Sequence, residues 1–156
     1  MPRRNRPDPR VAEPDIRYNN RQVQSFINRV MKDGKKSTAT SLIYDAFDLI
    51  EERTGKSGLE TFLQAMKEVS PIMEVRPRRV GGATYQVPME VDNRRQFALA
   101  SRWIIGAART RSGRSFAEKL ADELMEAAQS QGAAFRKKEE AHRMAEANRA
   151  FSHYRI

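Results

Sequence analysis

Cysteine is missing from the 156 residues altogether, which removes disulfides and thiolate metal sites from consideration. Long apolar runs are missing too, and no stretch approaches the ~20 residues that a bilayer-spanning helix requires. The opening MPRRNRPDPR has arginines with no apolar segment behind them, so it does not read as a secretory signal. Histidine is limited to His142 and His153, which leaves little for acid–base catalysis or nitrogen-rich metal sites. Acid is the most telling shortage. Residues 93–117 contain none, yet carry Arg94, Arg95, Arg102, Arg109, Arg111 and Arg114.

What is abundant is positive charge. Lysine and arginine number 29 against 20 acids, a net charge of +9. The excess is unevenly placed. Arg3, Arg4, Arg6 and Arg10 crowd the first ten residues, whereas 45–60 holds Asp45, Asp48, Glu51, Glu52 and Glu60. A chain polarised in this way suits a protein with one face on a polyanion and another in solvent. Hydrophobic residues at 39% are enough for one folded domain with a modest core.

Residues 1–18, with Pro2, Pro7, Pro9 and Pro14, read as a flexible basic arm that orders on a partner. Asn19 and Asn20 cap a first helix carrying Val23, Phe26, Ile27, Val30 and Met31 at helical spacing, closed by Gly34. A second helix presents Leu42, Ile43, Ala46, Phe47 and Ile50 and stops at Gly55. Ser57 and Glu60 have capping-box spacing for a third, which Pro71 ends. Between 73 and 91 the pattern changes to a period of two. Matching apolar odd positions across a three-residue Gly81–Gly82–Ala83 turn sets Val75 opposite Met89 and Arg79 opposite Tyr85. Pro77 and Pro88 exclude further strands, so the hairpin is expected to project. A fourth helix from Asp92, a fifth opened by Ser115 and Glu118, and a charged sixth after Gly132 complete the chain. The sixth has only a thin stripe of Phe135, Ala141, Met144, Ala145 and Asn148. The expected fold is mainly α, one domain of about six helices over 19–150 with the hairpin between the third and fourth, and a tail at 151–156.

Enzyme-like fragments do not hold up. TGKS at 54–57 resembles the end of a phosphate-binding loop, but Ile50 stands where that loop needs glycine. Glu139 and His142 have di-iron spacing, yet that chemistry needs two such motifs. His153 has no nucleophile or carboxylate constellation beside it, and Glu51 and Glu52 are helical neighbours that point apart. No cofactor is implied. Nucleic acid is the better fit: arginine pairs bidentately with phosphate and stacks on bases. Arg76 and Arg78 share one hairpin face, and Arg79 takes the other near Tyr85. Lys32, Lys35 and Lys36 sit where the first helix gives way to the second, whose free N–H groups favour phosphate. Two targets stay open: a DNA minor groove entered by a β-ribbon arm, or folded RNA met by several separated basic elements. The Gly-Gly-Ala tip has no wedge residue, which favours RNA; a protein-binding adaptor is a third possibility.

FIN at 26–28, DGKK at 33–36, LIYDA at 42–46, MEVRPRRVGGATYQVPMEV at 73–91, RR at 94–95 and MAEANRAFSHYR at 144–155 together resemble the small-subunit ribosomal protein seven family in its bacterial form. The resemblance spans essentially the whole chain. It implies a non-enzymatic constituent of the cytoplasmic ribosome that binds the 3′ major domain of 16S ribosomal RNA and starts assembly of the small-subunit head. It also implies a position near the exit-site tRNA, the messenger exit channel and neighbouring head and platform proteins, with no membrane involved. On that reading the arm, Lys32, Lys35, Lys36, Arg76, Arg78, Arg79 and the arginines between Arg94 and Arg114 face ribosomal RNA. Gly81, Gly82, Ala83 and Tyr85, with Arg143, Arg149, Tyr154 and Arg155, lie toward tRNA and messenger.

Overall fold

A computed structural model describes residues 10–154. The elements run α1 (Arg21–Val30), α2 (Lys36–Thr54), α3 (Gly58–Val69), β1 (Met73–Val80), β2 (Ala83–Glu90), α4 (Asn93–Thr110), α5 (Phe116–Ala128) and α6 (Gly132–Ala147), then a 3-10 helix, Arg149–Tyr154. The protein is mainly helical, with the two-stranded hairpin between α3 and α4, as the patterning predicts.

The apolar stripes explain the assembly. Helix α5 lies at the centre, packing against α2, α3, α4 and α6, and Leu120 and Leu124 on it are fully buried. Phe26 of α1, Phe47 of α2 and Phe62 of α3 meet in one aromatic cluster, with ring centroids 5.1 Å apart for Phe26–Phe62 and 5.5 Å for Phe47–Phe62. Phe26 meets Phe62 edge-on and Phe47 meets it at a tilt, and such aromatic contacts add to plain area burial. The close crossing of α2 and α3 depends on Gly58: a Cβ there would lie 2.6 Å from the Cβ of Phe47 and 2.7 Å from its carbonyl oxygen. The chain can cross at that point only without a side chain.

Helix boundaries follow local chemistry at some ends and distant partners at others. Asn20 accepts hydrogen bonds from the Gln22 and Val23 amides and caps α1. Helix α1 ends at Val30, so Gly34 belongs to the connecting turn rather than to the helix end. The expected Ser57–Glu60 capping box does not form, because Ser57 makes no side-chain cap bond. The carboxylate of Glu51 takes the Gly58 amide instead, at 3.1 Å. At α5 the box forms with one partner displaced. Ser115 accepts from the Glu118 amide, and Glu118 accepts from the amide of Arg114 rather than that of Ser115.

The hairpin register differs from the expected one. Val80 pairs with Ala83, so the turn has two residues, and Arg78 lies opposite Tyr85, Arg76 opposite Val87 and Val75 opposite Pro88. Gly81 and Gly82 both have positive φ, 59° and 87°, the geometry of the two-residue turn that matches strand twist. That turn preference outweighs the side-chain matching that favoured a three-residue loop. One face therefore carries Glu74, Arg76 and Arg78 with Tyr85, Val87 and Met89. Nor does the hairpin stand free, since α6 packs on it and the 3-10 helix packs on β2.

Residues 15–18, expected in the flexible arm, are fastened to the body. Asp15 is 2% exposed. It accepts the Arg17 and Tyr18 amides at 3.1 and 2.9 Å and the hydroxyl of Tyr44. Arg17 reaches Asp48 of α2.

Candidate nucleic-acid interface

The segment at Arg10, the outer face of α1 and the start of α4 enclose a groove of about 470 Å³, lined by Arg10, Arg21, Arg29, Arg94 and Phe97 among others. No acid lines it. The Arg29 guanidinium lies 5.6 Å from the centre of the Phe97 ring, a cation–π contact that holds it over the groove. Arg21, Ser25 and Arg29 recur every four residues, so they share one face of α1. Sequence reasoning missed Arg21 and Arg29 because it followed the apolar stripe of α1 and left the opposite face unread.

Farther along, Lys32, Lys35 and Arg109 rim a pocket of about 290 Å³ floored by Val30, Ala39, Leu42 and Phe116. Thus α4 carries one arginine to each site, Arg94 near its start and Arg109 near its end. Lys36, Arg102 and Arg114 are exposed nearby in sequence. Among the described residues none of Arg10, Arg21, Arg29, Arg94, Lys32, Lys35 or Arg109 enters an ion pair. The cations that are paired lie elsewhere, as in Arg53–Asp122 and Arg17–Asp48.

Arg111 departs from expectation. Its guanidinium binds Glu126 and the fully buried Glu123 at the α4–α5 connection, and only a quarter of its side chain is exposed. The carboxylates of Glu126 and then Glu123 hold it charged against the opposing effect of burial. Arg111 is a structural residue, not a surface cation. The carboxylates that capture it follow it by 12 and 15 residues, beyond the reach of local patterning.

At the hairpin base Glu74, 8% exposed, receives Arg76 at 2.6 Å and Arg95 at 2.7 Å. That bond holds the ribbon to the start of α4 and leaves both guanidinium groups half exposed. Arg78 donates to the carbonyl of Tyr154 at 2.7 Å. Arg79 is exposed on the opposite face, with no hydrogen bond or ion pair among the described residues. Tyr85 does not wait for a ligand: its ring meets Tyr154 at 5.0 Å and Phe151 at 5.3 Å. Residues 151–154, expected in a tail, thus brace the hairpin. Gly81, Gly82 and Ala83 form the exposed tip, and Arg143 and Arg149 are exposed on and beyond α6. Arg3, Arg4, Arg6 and Arg155 lie outside the described residues.

His142, read from sequence as a solvated helix residue, accepts the Ile72 amide through Nε2 at 3.0 Å. Burial, with help from Lys138, pushes its pKa down from the ordinary histidine value. No helix among the described residues is long and apolar enough to cross a membrane, and no group of three or more acids or histidines among them could hold a metal ion.

A family model described as ribosomal protein S7p/S5e matches residues 2–149. The chain belongs to the ribosomal protein S7p/S5e family. It is similar to the small ribosomal subunit protein uS7 of Prochlorococcus marinus (strain NATL1A), 56% identical over 155 residues and 99% of each chain. The corresponding proteins of Dehalococcoides mccartyi (strain CBDB1) and Thermomicrobium roseum are 54% and 52% identical over the same extent. As a member of this family the chain is a small-subunit ribosomal protein, a structural component of the ribosome in the cytoplasm and not an enzyme.

Proposed function

We propose that this S7p/S5e-family chain binds the 3′ major domain of 16S ribosomal RNA through the face built from α1, the start of α2 and α4. By doing so it nucleates the head of the small subunit. One observation carries the reading: Arg10, Arg21, Arg29, Arg94, Lys32, Lys35 and Arg109 gather on this face with no carboxylate partner among the described residues, and no acid lines either of the two sites they form. A face of unneutralised arginines and lysines repels itself until a polyanion meets it. Cations gathered at two separate places suit folded RNA, whose helices and junctions are met by shape. The base of the ribbon, with Arg76 and Arg95 around Glu74, extends the contact. Arg79 and the tip Gly81–Gly82–Ala83, braced by Tyr85 on Tyr154, reach away from that face toward the exit-site tRNA and the messenger exit channel. Arg143 and Arg149 lie toward tRNA and messenger, where the C-terminal helix also meets a neighbouring head or platform protein. Residues 1–14 add further arginines to the same RNA.

Salt titration of binding to a transcript of the 16S 3′ major domain tests this. Replacing Arg21, Arg29 and Arg94 with Gln should flatten the log–log salt dependence by roughly one unit per lost phosphate contact. Replacing Arg53, which is paired with Asp122, should leave the slope unchanged. Equal slopes for both variants, or duplex DNA competing as well as the transcript, would overturn the reading.

A further inference from the structure

The pocket rimmed by Lys32, Lys35 and Arg109 differs in kind from the arginine groove. Its walls, Val30, Ala39, Leu42 and Phe116, have no side-chain donor to offer a phosphate. Every charged residue that lines it is a cation, Thr38 is the neutral polar residue beside them, and Asp33, the acid in that loop, does not line it. At about 290 Å³ it holds a ligand of roughly ten heavy atoms, at ~30 Å³ for each water-sized unit. That is the size of one purine. An apolar slot under a ring of positive charge fits a group with a flat apolar face and an anion on either side.

We propose that this pocket takes a single unstacked nucleobase of the bound RNA, with its flanking phosphates on Lys32, Lys35 and Arg109. The proposal rests on the RNA-binding reading and names a site within it. Extruded bases are the part of a folded RNA that a protein recognises by stacking on aromatic rings, and Phe116 supplies such a ring. The start of α2 adds to the phosphate side. Its first turn holds no acid, its cap residue Lys35 makes no side-chain cap bond, and the amides of Ser37 and Thr38 have no acceptor among the described residues. Such amides donate hydrogen bonds to an anion.

The first of two variants blocks the slot without touching the core. Thr38 is exposed and lines the pocket, so Thr38→Trp fills it; Phe116→Leu, which keeps the wall apolar but removes the ring, is the second variant. Each is titrated with the 16S 3′ major-domain transcript across salt and then mapped with base-modifying reagents. The expected result for Thr38→Trp is binding weakened on the order of ten- to a hundredfold, the loss from one stacked base, at an unchanged salt slope. One base protected by the wild-type protein should become reactive while the backbone footprint persists. Phe116→Leu should show the same change in smaller degree. Wild-type affinity for Thr38→Trp with an unaltered base pattern overturns the proposal while leaving the RNA reading intact. If small subunits assembled with Thr38→Trp then lack a neighbouring protein, the nucleobase proposal is overturned and the pocket belongs to that protein. Failure of the wild-type chain to bind the transcript would sink the RNA reading itself.

Discussion

Glu123 is where the fold is most vulnerable to one substitution. It is fully buried, with Oε1 accepting the Ala134 amide at 2.8 Å and Oε2 accepting Arg111 Nε at 3.0 Å. One carboxylate thereby joins the end of α4, the middle of α5 and the start of α6. Glu123→Ala strands the Ala134 amide in an apolar setting, which costs about 1.5–3 kcal/mol for a lost hydrogen bond to a charged group. Arg111 keeps Glu126 and some exposure, so its loss adds only about 1 kcal/mol rather than the full penalty of an isolated buried charge. The total of about 2.5–4 kcal/mol lowers Tm by roughly 5–16 °C in a chain of this length. Glu123→Gln keeps an oxygen for Ala134 and should lose about half as much. Arg111→Gln should lower Tm while leaving the salt dependence of RNA binding alone, which separates a structural arginine from a surface one. Thermal unfolding by circular dichroism, with urea titration for the free energies, gives all three values. A loss below about 1 kcal/mol for Glu123→Ala, or equal losses for Ala and Gln, would refute the reasoning.

Gly58→Ala forces a methyl into the backbone of Phe47 and should cost about 1–3 kcal/mol as overpacking; a urea midpoint equal to wild type would show that α2 and α3 can part without penalty. For His142 the folded pKa lies below its ordinary value near 6.5, so the unfolded chain takes up the proton more readily. Its contribution to stability is full above that value and declines as pH falls from about 6.5 toward the folded pKa. The neighbouring charges are Lys138, Glu146 and Arg149, and a His142→Gln variant whose Tm falls as steeply as wild type between pH 7 and 5 would show that His142 is not the source of the effect.

Elements with strong periodicity were legible from sequence because their own residues determine them. The stripes of α1 and α2 and the Asn20 cap need only neighbours three or four positions away. The features that escaped depend on partners across the fold. Ser57 makes no side-chain cap bond, and the one first-turn amide of α3 that a carboxylate takes, that of Gly58, goes to Glu51 on the previous helix. Arg111 reads as one of six free arginines until α5 folds back with Glu123 and Glu126. Phe151 and Tyr154 read as a tail because their aromatic partner, Tyr85, lies on a strand far away in the chain. The hairpin register failed for a local reason: side-chain alternation and turn geometry gave different answers, and two adjacent glycines made the tighter turn the cheaper one. On the interface side, arginines clustered in sequence were visible, while Arg21 and Arg29, two turns apart, join the site only through the geometry of α1.

The brace on the hairpin also has a consequence in time. Arg78 and the Tyr154 carbonyl that it binds are separated by 76 residues. At a synthesis rate of about 5–20 residues per second, the strand emerges roughly 4–15 s before its support. A lone two-stranded hairpin is marginal in water, so during that interval its exposed tyrosine and unpaired strand edges are open to other chains. Their protection comes from the charges already in place: arginines at 76, 78 and 79 make the unbraced ribbon a poor partner for another like itself. These guanidinium groups thus act as gatekeepers while the nascent chain is still incomplete.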